Sequence, residues 1–139
     1  MKIVVDASVA LTWFLRGGPD ELDVPEAEAV ASAIGQSGTE LLTPAHWTAE
    51  VIAVLARTEP GAVDDALVLL DDMRPVIIAG LPVLKCAADL SISLNHHLFD
   101  TLYHAVALEE GATLVTADGA YLSKARSFGG IVALADFSV

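Results

Sequence analysis

Cysteine is almost missing from this chain: Cys86 stands alone among 139 residues. An internal disulfide and a cysteine-ligated zinc site are therefore excluded, and a reducing, cytoplasmic setting is the expectation. Basic residues are scarce as well. Seven Lys and Arg face 19 Asp and Glu, for a net charge of −12 at pH 7. Passive attachment to nucleic acid rests on cations that neutralise phosphates, and few are present here. A polyanion can still be a substrate if divalent cations supply the positive charge, and a basic protein partner fits equally well. Long apolar runs are also lacking. The longest uncharged stretch, Ala29 to Thr39, has 11 residues, whereas a membrane span needs ~20 mostly apolar ones. The opening MKIVVDASVALTWFL is not read as a signal peptide. Asp6 interrupts its apolar run, and no small-residue cleavage site follows Arg16-Gly17-Gly18-Pro19.

What is present points to a packed fold. Hydrophobic residues make up 54% of the chain, which excludes intrinsic disorder and hints at a buried interface such as a homodimer. The length suits one domain over residues 1–139. Short apolar runs alternate with helical patterns. Strands are expected at Lys2–Val5, Glu40–Thr43, Val76–Ala79, Thr113–Thr116 and Ile131–Leu134. Helices are expected at Ala7–Arg16, Glu26–Gln36, Pro44 to about Thr58, Ala62–Met73, Pro82–Leu94, Phe99–Glu110 and Gly119–Arg126. Gly17-Gly18-Pro19-Asp20 breaks the first helix, and Gly111 is read as a left-handed stop. The strand runs are continuously apolar. That pattern belongs to a parallel sheet covered on both faces, an α/β fold, and in such sheets ligands sit at the carboxyl ends of the strands.

Acidic residues collect where that rule points. Asp6 follows Ile3-Val4-Val5, and Asp118 lies two residues past Thr116. Asp100 opens a helix, and Glu50 sits in the most apolar helix, which reads as buried nearly all round. A buried, ionised Glu is costly without a partner. No Lys or Arg lies within a turn of Glu50, so a cation from outside the chain is one way to satisfy it. Each acid also has a structural explanation. Asp6 and Asp100 suit helix N-caps, Asp118-Gly119 suits a turn, and Glu50 suits a solvated position. Together, the four can meet at one sheet edge as oxygen ligands for Mg²⁺ or Mn²⁺, a site able to activate water and hold a phosphate.

The order and local sequence of these acids resemble the PIN-domain ribonucleases and, within them, the VapC toxins of VapBC type II toxin–antitoxin pairs. Val4-Val5-Asp6-Ala7-Ser8-Val9-Ala10 is similar to that family's first motif. Glu50, after Thr43-Pro44, matches the second, and Phe99-Asp100-Thr101-Leu102-Tyr103-His104-Ala105-Val106-Ala107 resembles the third. Leu114-Val115-Thr116-Ala117-Asp118 with Tyr121-Leu122 resembles the fourth. The resemblance covers essentially the whole chain, although about Glu59 to Lys85 matches only in length and helical character. It implies a three-layer α/β/α fold with a central parallel sheet and Mg²⁺-dependent endonucleolytic cleavage of structured RNA such as tRNA or rRNA. It implies an acidic pocket of Asp6, Glu50, Asp100 and Asp118. Asp6 and Asp100 would be direct metal ligands, and Glu50 and Asp118 would bind a second metal or orient the attacking water. Thr116 would position a ligand or water, and Ser8 would point into the pocket or cap a helix. It further implies a cognate VapB antitoxin whose tail blocks the pocket, toxin dimerisation, and assembly on operator DNA through the antitoxin.

Arg16, Lys85, Lys124 and Arg126 are candidates for phosphate contacts, set against a reading as solvated charge. His96-His97 and His104 lack tight metal-ligand spacing and are read as structural, with His104, one turn past Asp100, facing the pocket. His46 and Trp47 are read as packing. Trp13 and Phe14 are read as core or as part of a partner surface, and Cys86 as a small buried hydrophobe. Two rival functions stay open. Another Mg²⁺ phosphoesterase would want a second acid two residues after Asp6, where Ser8 stands. A catalytically silent partner-binding module would not need all four acids.

Overall fold

A computed structural model of the chain describes residues 1–15, 24–36 and 38–138. Arg16 and the Gly17-Gly18-Pro19-Asp20 break lie outside the described residues. β1 (Lys2–Val5) explains the architecture. Ile3, Val4 and Val5 are each fully buried. Successive side chains of a strand point to opposite faces, so both faces of this strand are covered. Its neighbours are β2 (Glu40–Thr43) on one side and β4 (Thr113–Thr116) on the other, both parallel. β3 (Val76–Ile77) and β5 (Ile131–Ala133) complete an all-parallel sheet of order β3-β2-β1-β4-β5. Seven α-helices complete the three-layer α/β/α arrangement among the described residues.

The helices are α1 (Ala7–Thr12), α2 (Val24–Ile34), α3 (Trp47–Thr58), α4 (Val63–Asp72), α5 (Leu81–Leu94), α6 (Leu98–Glu110) and α7 (Gly119–Ala125). α6 is the most buried. An unbroken run from Thr101 to Ala107 is hidden from solvent, because α6 packs on β1, β2 and β4 while α5 covers its other side. Gly111 ends α6 in the left-handed region at φ 63°, as its sequence position predicted. α1 packs against α3 and the end of β4, so the helices bearing Asp6 and Glu50 are in contact.

Several expectations need correction. α3 is not buried all round: Trp47, Val51 and Leu55 face the core, whereas Ala49 and Ala53 are exposed. Alanine raises the apolar count of a helix without demanding burial. α3 also begins at Trp47 rather than Pro44, after a turn closed by the Trp47 N–H on the Pro44 carbonyl. β3 has two residues instead of four, lies at the sheet edge, and leaves Val76 and Ile77 exposed. Asp100 is not a cap. His97 holds that position, and Asp100 is the third residue of α6. Among the described residues, no helix is long and apolar enough to cross a membrane.

Candidate active site at the carboxyl edge of the sheet

Strand register places the first acid. Val5 pairs with Val115, so the next residues, Asp6 and Thr116, stand level at the carboxyl ends of adjacent strands. This is also where the strand order reverses, with β2 on one side of β1 and β4 on the other. Asp6 caps α1, accepting the Val9 N–H at 3.3 Å. The hydroxyls of Ser8 and Thr116 both donate to its carboxylate. Burial is the largest influence on this group and, with the Asp118 charge, outweighs those hydrogen bonds, so its pKa is pushed up to about 6. The site therefore holds an acid that gains from a positive charge.

The other three acids are held in the same manner. Asp118 caps α7, accepting the Tyr121 N–H at 3.1 Å, while its own N–H donates to Thr116 Oγ1 at 3.0 Å. Asp100 accepts from His96 Nε2 at 3.1 Å. The His96 tautomer follows from its other side, where the Lys124 ammonium donates to Nδ1 at 3.3 Å and leaves the proton on Nε2. Glu50 accepts from the Tyr103 hydroxyl at 2.8 Å and lies 3.1 Å from His46 Nε2. Burial pushes the Glu50 carboxyl up, but the hydrogen bonds from His46 and Tyr103 prevail and hold it below its ordinary value. Glu50 is thus satisfied within the chain, by Tyr103 and His46, and an outside cation is not the one way to satisfy it.

All four acids, with Ser8, Tyr103 and Tyr121, line one cleft of about 230 Å³. Among the described residues no Lys or Arg lines it. Buried Thr116 joins two of these acids, Asp6 and Asp118, through one hydroxyl. His96, Asp100 and Asp118 each offer a ligand atom, and these atoms lie within 4.8 Å of one another. Carboxylate oxygens fit a hard divalent cation, and the raised Asp6 carboxyl shows the same need for positive charge. His96, whose ring nitrogens serve Asp100 and Lys124, would have to release one of them to join as a ligand.

The supporting residues are where the sequence misled. His104 does not face the cleft. It is fully buried, accepts the Tyr121 hydroxyl hydrogen on Nδ1 at 2.8 Å, and donates from Nε2 to the Gly129 carbonyl at 2.7 Å. Burial lowers its pKa. His46, read as packing, does pack on Phe99 and Tyr103 but also contacts Glu50, and His96 joins the acids. The signal was the spacing of four residues, His46 to Glu50 and His96 to Asp100. His46 is the N-cap of α3 and so sits one turn before Glu50, whereas His96 lies in the connection just before α6 and reaches Asp100 from there. Trp13 and Phe14 are half-buried, and Trp13 Nε1 donates to the Ala27 carbonyl at 2.8 Å. Ser8 caps nothing. It lines the cleft and accepts the Ala117 N–H at 3.2 Å.

This geometry has known counterparts. The sequence model of the PIN domain matches residues 3–126, which takes in every acid of the cleft. The chain belongs to the PIN-domain family. PIN domains are generally nucleases that use divalent metals. The fold is similar to that of PAE2754 from Pyrobaculum aerophilum, with a TM-score of 0.64, 18% identity, and 97% of this chain and 90% of that one covered. It is also similar to VapBC2 from Rickettsia felis bound to a DNA fragment from their promoter. There the TM-score is 0.62 at 13% identity, over 96% of this chain and 97% of that one. No protein of curated function matches this PIN-domain sequence.

Proposed function

We propose that this PIN domain, over residues 1–139, is a toxic endoribonuclease of VapC type that depends on Mg²⁺, with Mn²⁺ as a substitute, and cuts structured RNA such as tRNA or rRNA. The observation that carries the reading is the convergence of Asp6, Glu50, Asp100 and Asp118 on one cleft, each oriented by its own internal hydrogen bond. Asp6 and Asp100 would hold the cation. Asp118 and Glu50 would hold a second one or orient the attacking water. When bound, a divalent cation supplies charge on the scissile phosphate and lowers the pKa of water. The chain's part is to fix the acids in place. The Thr116 and Ser8 hydroxyls hold Asp6, and His96 and Tyr103 hold Asp100 and Glu50. Glu50 stays ionised near neutrality and can accept a proton from water as the water oxygen bonds to phosphorus and the bond from phosphorus to a ribose oxygen breaks, that oxygen taking a proton from solvent.

A cognate VapB-type antitoxin is the proposed partner. The acidic cleft and the net charge of −12 suit a basic inhibitory tail, and the similar fold of VapBC2, which is bound to promoter DNA, supports a complex that reaches operator DNA through the antitoxin. A homodimer and a cytoplasmic location belong to the same reading. The test is to incubate antitoxin-free protein with total RNA and a tRNA panel. Cleavage is expected with Mg²⁺ and is expected to vanish with EDTA or in Asp100→Asn. Cleavage that survives either would overturn the metal mechanism. Absence of both cleavage and growth inhibition would favour the silent binding module, and release of phosphate from small esters without RNA cutting would favour the phosphoesterase.

A further inference from the structure

Aromatic residues are only 6% of the chain, and the most exposed of them stands beside the cleft. Phe99 is 62% exposed and immediately precedes Asp100. It is not loosely attached. Phe99 and Tyr103 are four residues apart on α6, and the His46 ring leans on both, with centroids 5.3 Å from Phe99 and 4.9 Å from Tyr103. His46 is fixed in turn, donating from Nε2 to the Phe99 carbonyl at 2.9 Å and lying 3.1 Å from Glu50. Three rings thus form a ledge that runs from the cleft wall at Tyr103 out to the rim at Phe99. Its inner end is tied to a cleft acid, and its outer ring is open to solvent.

We propose that the Phe99 ring, backed by His46, is a stacking platform for one unpaired base of the RNA substrate. The inference rests on the ribonuclease reading above. Two observations choose a base as the occupant. The ledge joins the acidic cleft through Tyr103, which lines it, and Phe99 directly precedes Asp100, so the exposed ring borders the way into the cleft where a base flanking the scissile phosphate would pass. The chain is also short of cations: among the described residues Lys124 alone of the Lys and Arg side chains touches a neighbour of the acids, through His96. Phosphate neutralisation, the usual source of affinity, is therefore weak here, and stacking is a contribution that needs no charge. It also accepts any base, because every base has a π-face. Phe99 acts as a positioning residue, setting which phosphate meets the acids.

The test uses the full chain in an Asp118→Asn background with Mg²⁺, so that RNA stays intact. The probes are short single-stranded RNAs carrying 2-aminopurine at successive positions. Quenching is expected at one position, with Phe99→Ala abolishing it and weakening binding roughly tenfold, within the range for loss of one stacked base. Phe99→Trp is expected to restore both, and Phe99→Leu to restore neither. The dependence on salt should keep the same slope in all three variants, because no phosphate contact changes. With Asp118 intact, Phe99→Ala should raise KM more than it lowers kcat. Unchanged RNA binding in Phe99→Ala, or full rescue by Phe99→Leu, overturns the platform while leaving the ribonuclease reading intact. Unchanged RNA binding together with weakened antitoxin capture would assign the ledge to the protein partner. If the unsubstituted protein neither binds nor cuts RNA, both readings fall.

Discussion

Thr116 and Asp6 are 110 residues apart in sequence, yet the threonine hydroxyl donates directly to the aspartate carboxylate. The same oxygen accepts the Asp118 N–H at 3.0 Å. One side chain at the end of β4 thereby sets the spacing of two acids that arrive from different strands. Thr116→Val keeps the shape and removes the hydroxyl, leaving a buried carboxylate short of a donor and an N–H without its acceptor. Loss of such a supporting group typically costs about 10–100-fold in metal affinity or activity. Calorimetry with Mn²⁺ should show a drop of that order, accompanied by about 1–3 kcal/mol of stability in urea melts, and Thr116→Ser should recover most of both. Equal Mn²⁺ affinity in Thr116→Val would show that the hydroxyl does not order the acids.

Asp6 weakens the metal-free protein. Its carboxyl is raised from 3.8 to about 6, so between those values the folded chain holds a proton that the unfolded chain has released. Its contribution to stability is greatest below pH 4, falls as pH rises through 6, and is flat above. The full span is roughly 3 kcal/mol. Asp6→Asn removes the ionisation and keeps a good cap residue. At pH 7.5 in EDTA it should melt several degrees higher than the unsubstituted chain, and it should not cleave RNA, a trade of stability against function. In the unsubstituted chain, Mg²⁺ affinity should tighten as pH rises through 6, with a proton released on binding. A lower melting temperature for Asp6→Asn in EDTA would contradict the burial argument.

His104 pulls the other way. Burial lowers its pKa below the ordinary 6.5, and the hydrogen bond to Gly129 offsets only part of this. The unfolded chain therefore binds a proton that the folded chain refuses, and His104 costs stability as pH falls below 6.5. Asp6→Asn, which is silent in this range, isolates the effect. In that background the urea midpoint should decline from pH 7 to pH 5. NMR titration should place the His104 ring below the ordinary imidazole value, with the neutral ring's Nδ1 accepting the Tyr121 hydroxyl. A ring that titrates at the ordinary value would sink the prediction.

The backbone frame and the acids were legible because their causes are local. Ile3-Val4-Val5 and Leu114-Val115 are β-branched or apolar runs that only a doubly covered sheet can bury, and acids just past such runs fall at the carboxyl edge. The groups that hold the acids were harder to see. Tyr103 reaches Glu50 across 53 residues, and nothing in either neighbourhood announces the pair. His46 and His96 could have been found from their spacing of four residues to an acid, but a histidine is ambiguous until its surroundings are known. His104 carries that same spacing to Asp100, yet it lies inside the molecule, because α6 turns its middle toward the sheet.

The Tyr103–Glu50 bond carries the last prediction. The tyrosine hydroxyl is held protonated well above its ordinary range by burial and by the Glu50 charge, so it is a permanent donor. It anchors Oε2 of Glu50 at 2.8 Å. Tyr103→Phe deletes the donor and leaves the ring beneath His46 in place. Glu50 keeps only the His46 contact, and its carboxylate gains rotational freedom. If Glu50 orients the attacking water, kcat should fall about tenfold or more while KM for RNA hardly moves, because the hydroxyl acts in the chemical step alone. The fold should tolerate the change, with about 1 kcal/mol lost for one partly buried hydrogen bond. Steady-state kinetics on any cleaved RNA decides the matter. An unchanged kcat would remove Glu50 from water positioning and leave the chemistry to Asp6, Asp100 and Asp118.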